Sequence, residues 1–253
     1  RVILLIRGTA ITFLSPSSDW SWGTISLRYF SLSAVISQLP LLVAADQAQW
    51  LALAHRYPDL AEHFTRDQIF VCRKQILTDM PSIAGDVTAL RIEVIYRLLL
   101  SLDIAPVEAD KSARTAFEAF MAKRNDVILF PETTPMLERV SKTYNVVAIT
   151  NGNADVFKTG IGSYFDLSIR ADEAGIAKPD RGIFDLTWEK IGCQSSEVIH
   201  IGDSVENDVQ GAINAGVTPV WYNPDKEQNT LGVNEVGTLS ELPYMITWLS
   251  DRP

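Results

Sequence analysis

Hydrophobic and polar residues follow three different patterns along the chain. Residues 1–39 are rich in Ser and Trp, low in charge and without clean periodicity. Residues 40–126 carry apolar side chains at helical spacing, as in the runs LLVAADQAQWLALAHRY and LRIEVIYRLLLSL. From residue 127 onward, helical stretches alternate with the short apolar runs NVVAIT, LSIR, VIHIGD and TPVWYN. This alternation predicts βαβ units and a parallel sheet.

The three patterns predict an α/β fold in three parts. Residues 127–253 are expected to form a parallel sheet with helices on both faces, and residues 40–126 a helical unit. Residues 1–39 should include the first strand of the sheet, although residues 1–33 have few periodic apolar positions and should pack poorly. The polar segment 223–235 reads as a surface loop. Arg91 and Arg97 could reach a ligand from the helical unit, but we expect them on a solvated face.

The run VIHIGDSVENDV contains a buried strand that ends in a Gly–Asp turn. Asp203 follows Gly202 directly, and Asp208 lies five positions further along. Open α/β sheets bind their ligands at the carboxyl edge, where this turn is expected. Two carboxylates at that edge suit Mg²⁺, which prefers a few carboxylates together with water and phosphate oxygens. The alternative interpretation is a helix cap at Asp203 with Asp208 on a solvated face.

Two further stretches place candidate phosphate-binding groups in the same region. The strand VVAIT runs into Thr150 and a turn at Asn151 and Gly152, where a hydroxyl and backbone N–H groups can hold phosphate oxygens. Lys178 precedes Pro179, which restricts the lysine to extended conformations and favours a fixed loop. A structurally satisfied threonine and a solvated loop lysine are the alternatives.

The order of these pieces resembles the haloacid dehalogenase-like hydrolase superfamily over residues 131–221. The resemblance implies a Rossmann-like, doubly wound parallel sheet with an inserted helical cap. It implies that Thr150, with Asn151 and Gly152 beside it, binds the transferring phosphoryl group, and that Lys178 neutralises charge on a phosphoaspartyl intermediate. It also implies that the aspartates of the GDSVEND run, Asp203 and Asp208, hold Mg²⁺.

Two features look most like the flavin-mononucleotide phosphatase branch of that superfamily. They are the sequence AITNGN and the helical stretch that begins early, after residue 40. This resemblance implies a small phosphorylated metabolite as the substrate, such as flavin mononucleotide or a related sugar or ribityl phosphate. A dehalogenase is also built on this fold, but it needs no metal, and the retained aspartate pair argues against it.

The first motif of the superfamily, an Asp-x-Asp pair after the first strand, has no counterpart in this chain. Its first Asp attacks phosphorus and its second acts as general acid and base, so covalent catalysis requires it. Asp19 is the sole aspartate before residue 46, and its neighbours Ser21 and Gly23 do not match the motif. The first strand could be AVIS, residues 34–37, or AITF, residues 10–13, and neither precedes an Asp-x-Asp pair.

Two explanations for the missing carboxylates remain open. One is a natural pseudoenzyme that binds phosphate or metal without turnover, and the other is a damaged gene, a frameshift or a wrong gene model. We therefore expect a Mg²⁺-dependent phosphomonoester hydrolase with impaired turnover, with a non-catalytic phosphate- or metal-binding protein as the alternative.

The composition of the chain limits the classes of binding partner and the cellular compartment that we expect. The formal net charge of −9 argues against nucleic acid, whose phosphate backbone needs basic patches. Cys72 and Cys193 are too few for a disulfide framework or a zinc site, which fits a reducing cytoplasm. No apolar run reaches the length of a membrane span. We expect a cytoplasmic protein, a monomer or weak homodimer, that contacts neither membranes nor nucleic acid.

Overall fold

The structure, a computed structural model, describes residues 2–7, 36–37, 39–58, 60 and 64–251. Its strands are β1 (Val2–Arg7), β2 (Ile36–Ser37), β3 (Ile128–Leu129), β4 (Asn145–Thr150), β5 (Leu167–Arg170), β6 (Val198–Gly202), β7 (Thr218–Tyr222) and β8 (Asn234–Val236). Its α-helices are α1 (Leu39–Arg56), α2 (Arg66–Asp79), α3 (Val87–Leu100), α4 (Pro106–Arg124), α5 (Thr133–Val140), α6 (Ala171–Ala174), α7 (Arg181–Ile191), α8 (Gly211–Ala215) and α9 (Leu242–Ser250). Among these helices, none is long and apolar enough to cross a membrane.

Six strands form one parallel sheet in the order β5-β4-β1-β6-β7-β8. The predicted strand runs NVVAIT, LSIR, VIHIGD and TPVWYN all lie in this sheet. The fold class is confirmed, because helices alternate with the strands from residue 133 onward. The carboxyl ends of β4 and β6 lie at one edge of the sheet, on either side of the end of β1.

The sheet is covered by helices on both faces, because successive side chains of a strand point to opposite sides. Val146 packs into a core cluster with residues of α5 and α9, whereas Val147 packs into a second cluster with residues of α7 and α8. Val146 and Val147 are both fully buried, as is Ile149 further along β4. This two-sided burial explains why the strands read as nearly continuous apolar runs rather than as alternating patterns.

The elements described between residues 39 and 124 are helical and have two core clusters of their own. Helix α4 presents Ala109, Ala113 and Ala116 to one cluster, and these small side chains let α1 and α3 approach it closely. The sequence marks the helix starts: the Asp86 carboxylate accepts a hydrogen bond from Ala89 N at 2.8 Å and caps α3. The boundaries at residues 40 and 126 remain predictions.

The first strand of the sheet differs from both positions considered for it. The central strand is β1, Val2–Arg7, which pairs with β4 along its whole length and with β6 over four residues. Residues 36–37, within the AVIS run, pair instead with Ile128–Leu129 in a separate two-stranded sheet. Residues 10–13 and Asp19 lie outside the described residues. The expectation that residues 1–33 pack poorly stays a prediction, because the strand pairing of Val2–Arg7 is a property of the backbone.

The segment 223–235, expected to be a surface loop, contains the start of an edge strand of the sheet. Residues 223–233 are a loop, but Asn234–Val236 pairs with Val220–Tyr222 of β7 and forms the edge strand β8. Only Val236 is buried in this strand. Three residues with a single buried side chain are too short a pattern to distinguish from a polar loop.

Candidate functional site

The candidate site lies where β4 and β6 end at the carboxyl edge of the sheet. Thr150 is the last residue of β4, and Asp203 follows Gly202, the last residue of β6. Thr150 is in register with Arg7, the last residue of β1. The backbone carbonyl of Asp203 accepts a hydrogen bond from Trp221 Nε1 at 3.0 Å, which fixes the turn after β6 against β7. The parallel arrangement therefore places the two predicted turns at one edge.

Lys178 is a buried cation held at this edge by two acceptors. Its Nζ donates to Asp208 Oδ1 at 2.6 Å and to the carbonyl of Ile149 at 3.2 Å. The side chains of Lys178 and Asp208 have no solvent-exposed area. Ile149 is the residue before Thr150, so the ammonium group lies directly beside the phosphate-binding turn that the sequence predicts. The structure thus brings Thr150, Lys178 and Asp208 together.

Asn151 holds the backbone of Lys178 in place. Its Nδ2 donates to the carbonyl of Lys178 at 2.8 Å, and its Oδ1 accepts from the N–H of Lys178 at 2.8 Å. Both groups of the amide are therefore engaged with one residue across 27 positions of sequence. Asn151 was predicted to bind phosphate, and the structure shows its side chain positioning the lysine instead, which leaves the backbone of Asn151 for a ligand.

The turn after β4 is closed by the hydroxyl of Thr150. Gly152 N donates to Thr150 Oγ1 at 2.9 Å, so this N–H already has an acceptor. The hydroxyl of Thr150 keeps its own proton, because it serves here as the acceptor. The Thr150 hydroxyl can therefore still donate its proton to a phosphate oxygen while it accepts the hydrogen bond from Gly152.

Both carboxylate oxygens of Asp208 are engaged with protein donors. Oδ1 accepts from Lys178, and His200 Nε2 lies 3.4 Å from the same oxygen. Oδ2 accepts from the N–H of Ser204 at 3.0 Å. Gly202 makes room for this carboxylate: a Cβ at that position would lie 2.3 Å from Asp208 Cγ. The glycine of the Gly–Asp turn is therefore required by the close approach of Asp208.

The charges of this cluster are set by burial and by the ion pair. Burial would raise the pKa of the Asp208 carboxyl, but the charge of Lys178, the contact with His200 and the hydrogen bond from Lys178 together outweigh burial, and the pKa lies below its ordinary value. Burial lowers the pKa of His200 to about 4, although its contact with Asp208 opposes the shift. At neutral pH the cluster thus contains one carboxylate, one ammonium and a neutral imidazole.

These contacts do not complete a magnesium site. Within the described residues, no group of three or more His, Cys, Asp or Glu side chains could hold a metal ion. Asp203 directly follows the strand, and Asp208 is bonded to protein donors through both oxygens. The described donors therefore do not fit a Mg²⁺ ion without further ligands. The prediction that Asp203 and Asp208 bind the metal stays a prediction.

A set of hydrogen bonds that no sequence pattern predicted joins the helical unit to the loop after Thr150. Asn153 Nδ2 donates to Thr88 Oγ1 at 3.2 Å, and Thr88 Oγ1 donates to Asp172 Oδ2 at 2.8 Å. In addition, Asn125 Oδ1 accepts from the N–H of Asp155 at 3.0 Å. Helices α3 and α4 are thereby anchored to the loop that follows Thr150. No local pattern marks these partners, because they lie 65 and 30 positions apart in sequence.

Two Escherichia coli proteins with similar sequences are named as a phosphatase and a nucleotidase. The 5-amino-6-(5-phospho-D-ribitylamino)uracil phosphatase of Escherichia coli K12 is 29% identical over 203 residues, which are 80% of this chain and 85% of that protein. A pyrimidine 5'-nucleotidase of the same organism is 32% identical over 132 residues, 49% of this chain. The chain spans 59% of that second relative's length.

Solved structures extend the similarity to the whole fold. A protein described as a 2-haloacid dehalogenase from Pseudomonas syringae pv. Tomato DC3000 superposes with a TM-score of 0.83 and 28% identity, over 98% of this chain and 99% of that one. A haloacid dehalogenase-like phosphatase from Thermococcus onnurineus gives 0.57 and 25%, over 84% of this chain and 93% of that one. The family model of haloacid dehalogenase-like hydrolases matches residues 43–216, more than half of the sequence. The Thr150 turn, the buried Lys178 and the Gly–Asp turn of β6 all lie within that match, and the chain belongs to the haloacid dehalogenase-like hydrolase family.

Proposed function

We propose that this chain is a phosphomonoester hydrolase-type protein that binds a small phosphorylated metabolite and turns it over slowly. The preferred ligand class is flavin mononucleotide or a related ribityl or sugar phosphate. The similarity to a ribitylaminouracil phosphate phosphatase, over 80% of this chain and 85% of that protein, supports this class. The pyrimidine nucleotidase relative also acts on a small phosphorylated metabolite, but it covers less of the chain.

The observation that carries the proposal is the placement of Lys178. Its ammonium group is fixed between the Asp208 carboxylate and the carbonyl of Ile149, one residue from the Thr150 hydroxyl. A fixed cation beside a hydroxyl donor suits a phosphate oxygen, because phosphoryl transfer is catalysed mainly by positioning and charge neutralisation. Asp208 orients the lysine, and Asn151 fixes its backbone.

Impaired turnover is the second part of the proposal. The strand at the centre of the sheet, Val2–Arg7, contains no carboxylate in its sequence VILLIR. The sequence after this strand contains no Asp-x-Asp pair, so in this proposal the covalent route is lost, and binding and electrostatic stabilisation remain. In other covalent enzymes, such residual catalysis is on the order of 10³–10⁴ over water. Asp203 and Asp208 are the carboxylates proposed to contribute to a Mg²⁺ site, which needs ligands beyond the described donors and would supply charge neutralisation at the phosphoryl group.

The test is steady-state hydrolysis of flavin mononucleotide and p-nitrophenyl phosphate, with and without Mg²⁺. We expect turnover far below 1 s⁻¹, roughly the low end of ordinary enzymes. Binding of flavin mononucleotide should be weakened by Lys178→Met. It should be unaffected by Lys142→Met, because Lys142 is exposed and is not among the predicted site residues. Turnover near 1 s⁻¹ that Asp203→Asn abolishes would show that a nucleophile is present after all.

A dehalogenase is the second candidate, and the TM-score of 0.83 with a protein of that name favours it. Dehalogenases on this fold also need an attacking carboxylate, so the same deficiency applies. Release of halide from 2-chloropropionate, measured beside release of phosphate, separates the two activities. Halide release that exceeds phosphate release would reverse the order of the two candidates.

A further inference from the structure

Arg124 is a buried cation whose charge is not balanced by the described part of the protein. It is the last residue of α4, and 2% of its surface is exposed. Its Nη1 atom has no hydrogen-bond partner within the residues that the structure describes. Buried arginines are ordinarily paired with a carboxylate, because a desolvated guanidinium is costly. The side chain therefore has donor capacity that the described residues leave unused.

A second arginine makes the surroundings of Arg124 more positive. Arg91 is mostly buried, at 19% exposure of its side chain, so the expectation of a solvated face was wrong for this residue. Its guanidinium lies 3.8 Å from the centre of the Phe120 ring, and its Nη1 donates to Asp46 Oδ1 at 2.6 Å. Asp46 thus balances Arg91 and not Arg124. Burial first, and then the charge of Arg91, lower the pKa of Arg124 to about 10.

The two arginines lie on the helical side of the loop that follows Thr150. Arg91 is three positions after Thr88 in α3, less than one helical turn, and Thr88 bonds to Asn153. Arg124 is next to Asn125, whose side chain accepts the N–H of Asp155. Asn153 is three residues from Thr150, so their Cα atoms are at most about 11 Å apart. Both arginines therefore belong to helices that are hydrogen-bonded to the loop three and five residues after Thr150.

We propose that Arg124, with Arg91 beside it, forms an anion-binding subsite that receives a second acidic group of the ligand. This inference rests on the proposed function, because it adds a second negative group to a ligand whose phosphate lies at Thr150 and Lys178. A carboxylate or a second phosphate supplies the charge that Arg124 lacks, and a planar guanidinium binds either through two parallel N–H groups. Within the sugar-phosphate part of the proposed ligand class, ligands that carry a second acidic group are thus preferred over simple monoesters.

Three matched probes separate the two halves of the ligand. Glycerol 3-phosphate carries the phosphate alone, glycerate carries the carboxylate alone, and 3-phosphoglycerate carries both. Dissociation constants are measured by calorimetry at constant ionic strength, so that turnover is not required. Charge-assisted hydrogen bonds at a buried site predict that the intact chain binds 3-phosphoglycerate about 10- to 100-fold more tightly than glycerol 3-phosphate.

The variants assign that preference to one side chain. Arg124→Met should remove it while leaving the affinity for glycerol 3-phosphate unchanged, and Arg124→Lys, which keeps the charge, should retain part of it. Lys123→Met is the matched control, because Lys123 is the preceding residue of α4 and its side chain is 55% exposed. This variant removes the same unit charge from the solvent side and should keep the full preference.

The outcomes distinguish this subsite from the proposed function. Equal affinities of the intact chain for glycerol 3-phosphate and 3-phosphoglycerate overturn the subsite and leave the phosphate site intact. If neither phosphomonoester binds, the proposed function fails. Binding of glycerate then tests the Arg124 subsite by itself. A melting temperature raised by glycerate in the intact chain and not in Arg124→Met supports the subsite. An equal rise in both proteins, or none in either, overturns it.

Discussion

Lys178 and Arg124 are both buried cations near the loop that follows Thr150, and their surroundings differ. Lys178 donates to Asp208 at 2.6 Å and to the Ile149 carbonyl, so its charge is balanced within the folded chain. Arg124 is exposed to the same extent, 2%, yet its Nη1 has no acceptor in the described part of the chain and a second arginine lies nearby.

The difference is between two kinds of buried positive charge, both of which the proposals above assign to one ligand site. A paired lysine stabilises the fold, because removing either partner leaves the other as an unpaired buried charge. An unbalanced arginine lowers the stability of the free protein and recovers that loss when an anion binds. Stability measurements therefore test the comparison independently of catalysis.

The largest effect is expected at the lysine. Asp208→Asn removes the charge that balances Lys178 and should lower the free energy of unfolding by about 3–5 kcal/mol. The measurement is urea-induced unfolding. Asp185→Asn is the control, because Asp185 pairs with Arg181 on the surface and should cost about 0.5 kcal/mol or less. A loss below about 1 kcal/mol in Asp208→Asn would mean that the pair contributes little.

The close approach of Gly202 to Asp208 offers a second way to disturb the pair. In Gly202→Ala the new Cβ would lie 2.3–2.5 Å from atoms of the Asp208 side chain, so the carboxylate must move away from Lys178. Overpacking of this kind should cost about 3 kcal/mol. Gly85→Ala is the control, because a Cβ there meets nothing within 4 Å. Similar melting temperatures for the two variants would show that the turn after β6 can adjust freely.

The pH dependence of stability reports on the same cluster. Burial lowers the pKa of His200 to about 4, whereas an unfolded chain has an ordinary histidine pKa near 6.5. The unfolded state therefore binds the extra proton between these values, and stability falls as the pH drops through this window. Between pH 7 and pH 4.5 this residue should account for about 2 kcal/mol.

Unfolding of the intact chain and of His200→Asn at the two pH values isolates that contribution. The depressed pKa of Asp208 contributes stability that is lost only below its ordinary pKa of 3.8, outside the window tested. The variant should lose less stability on acidification than the intact chain. Parallel losses in the two proteins would mean that His200 is protonated in the folded state.

The order of strands and site residues could be predicted from sequence, because buried parallel strands are apolar runs that end in polar turns. The partners within the site could not. A carboxylate at position 208 suits a metal ligand and a lysine partner equally well, and the 30 positions between Lys178 and Asp208 contain no distance information. The same holds for β1, whose pairing with β4 and β6 is a long-range property that the run VILLIR does not display.

The smallest effect is expected at the arginine, and its size decides the comparison. Arg124→Met removes a buried charge that nothing in the described chain balances and keeps a long apolar stem. We expect the free energy of unfolding without ligand to change by less than about 1 kcal/mol or to rise, as when buried charges are replaced by apolar residues. Lys178→Met, the same kind of change at a balanced cation, leaves Asp208 buried and unpaired and should cost about 3–5 kcal/mol. Urea unfolding of both variants without added anions gives the contrast directly. If Arg124→Met loses as much stability as Lys178→Met, the folded chain itself balances Arg124, and the two cations do not differ in kind.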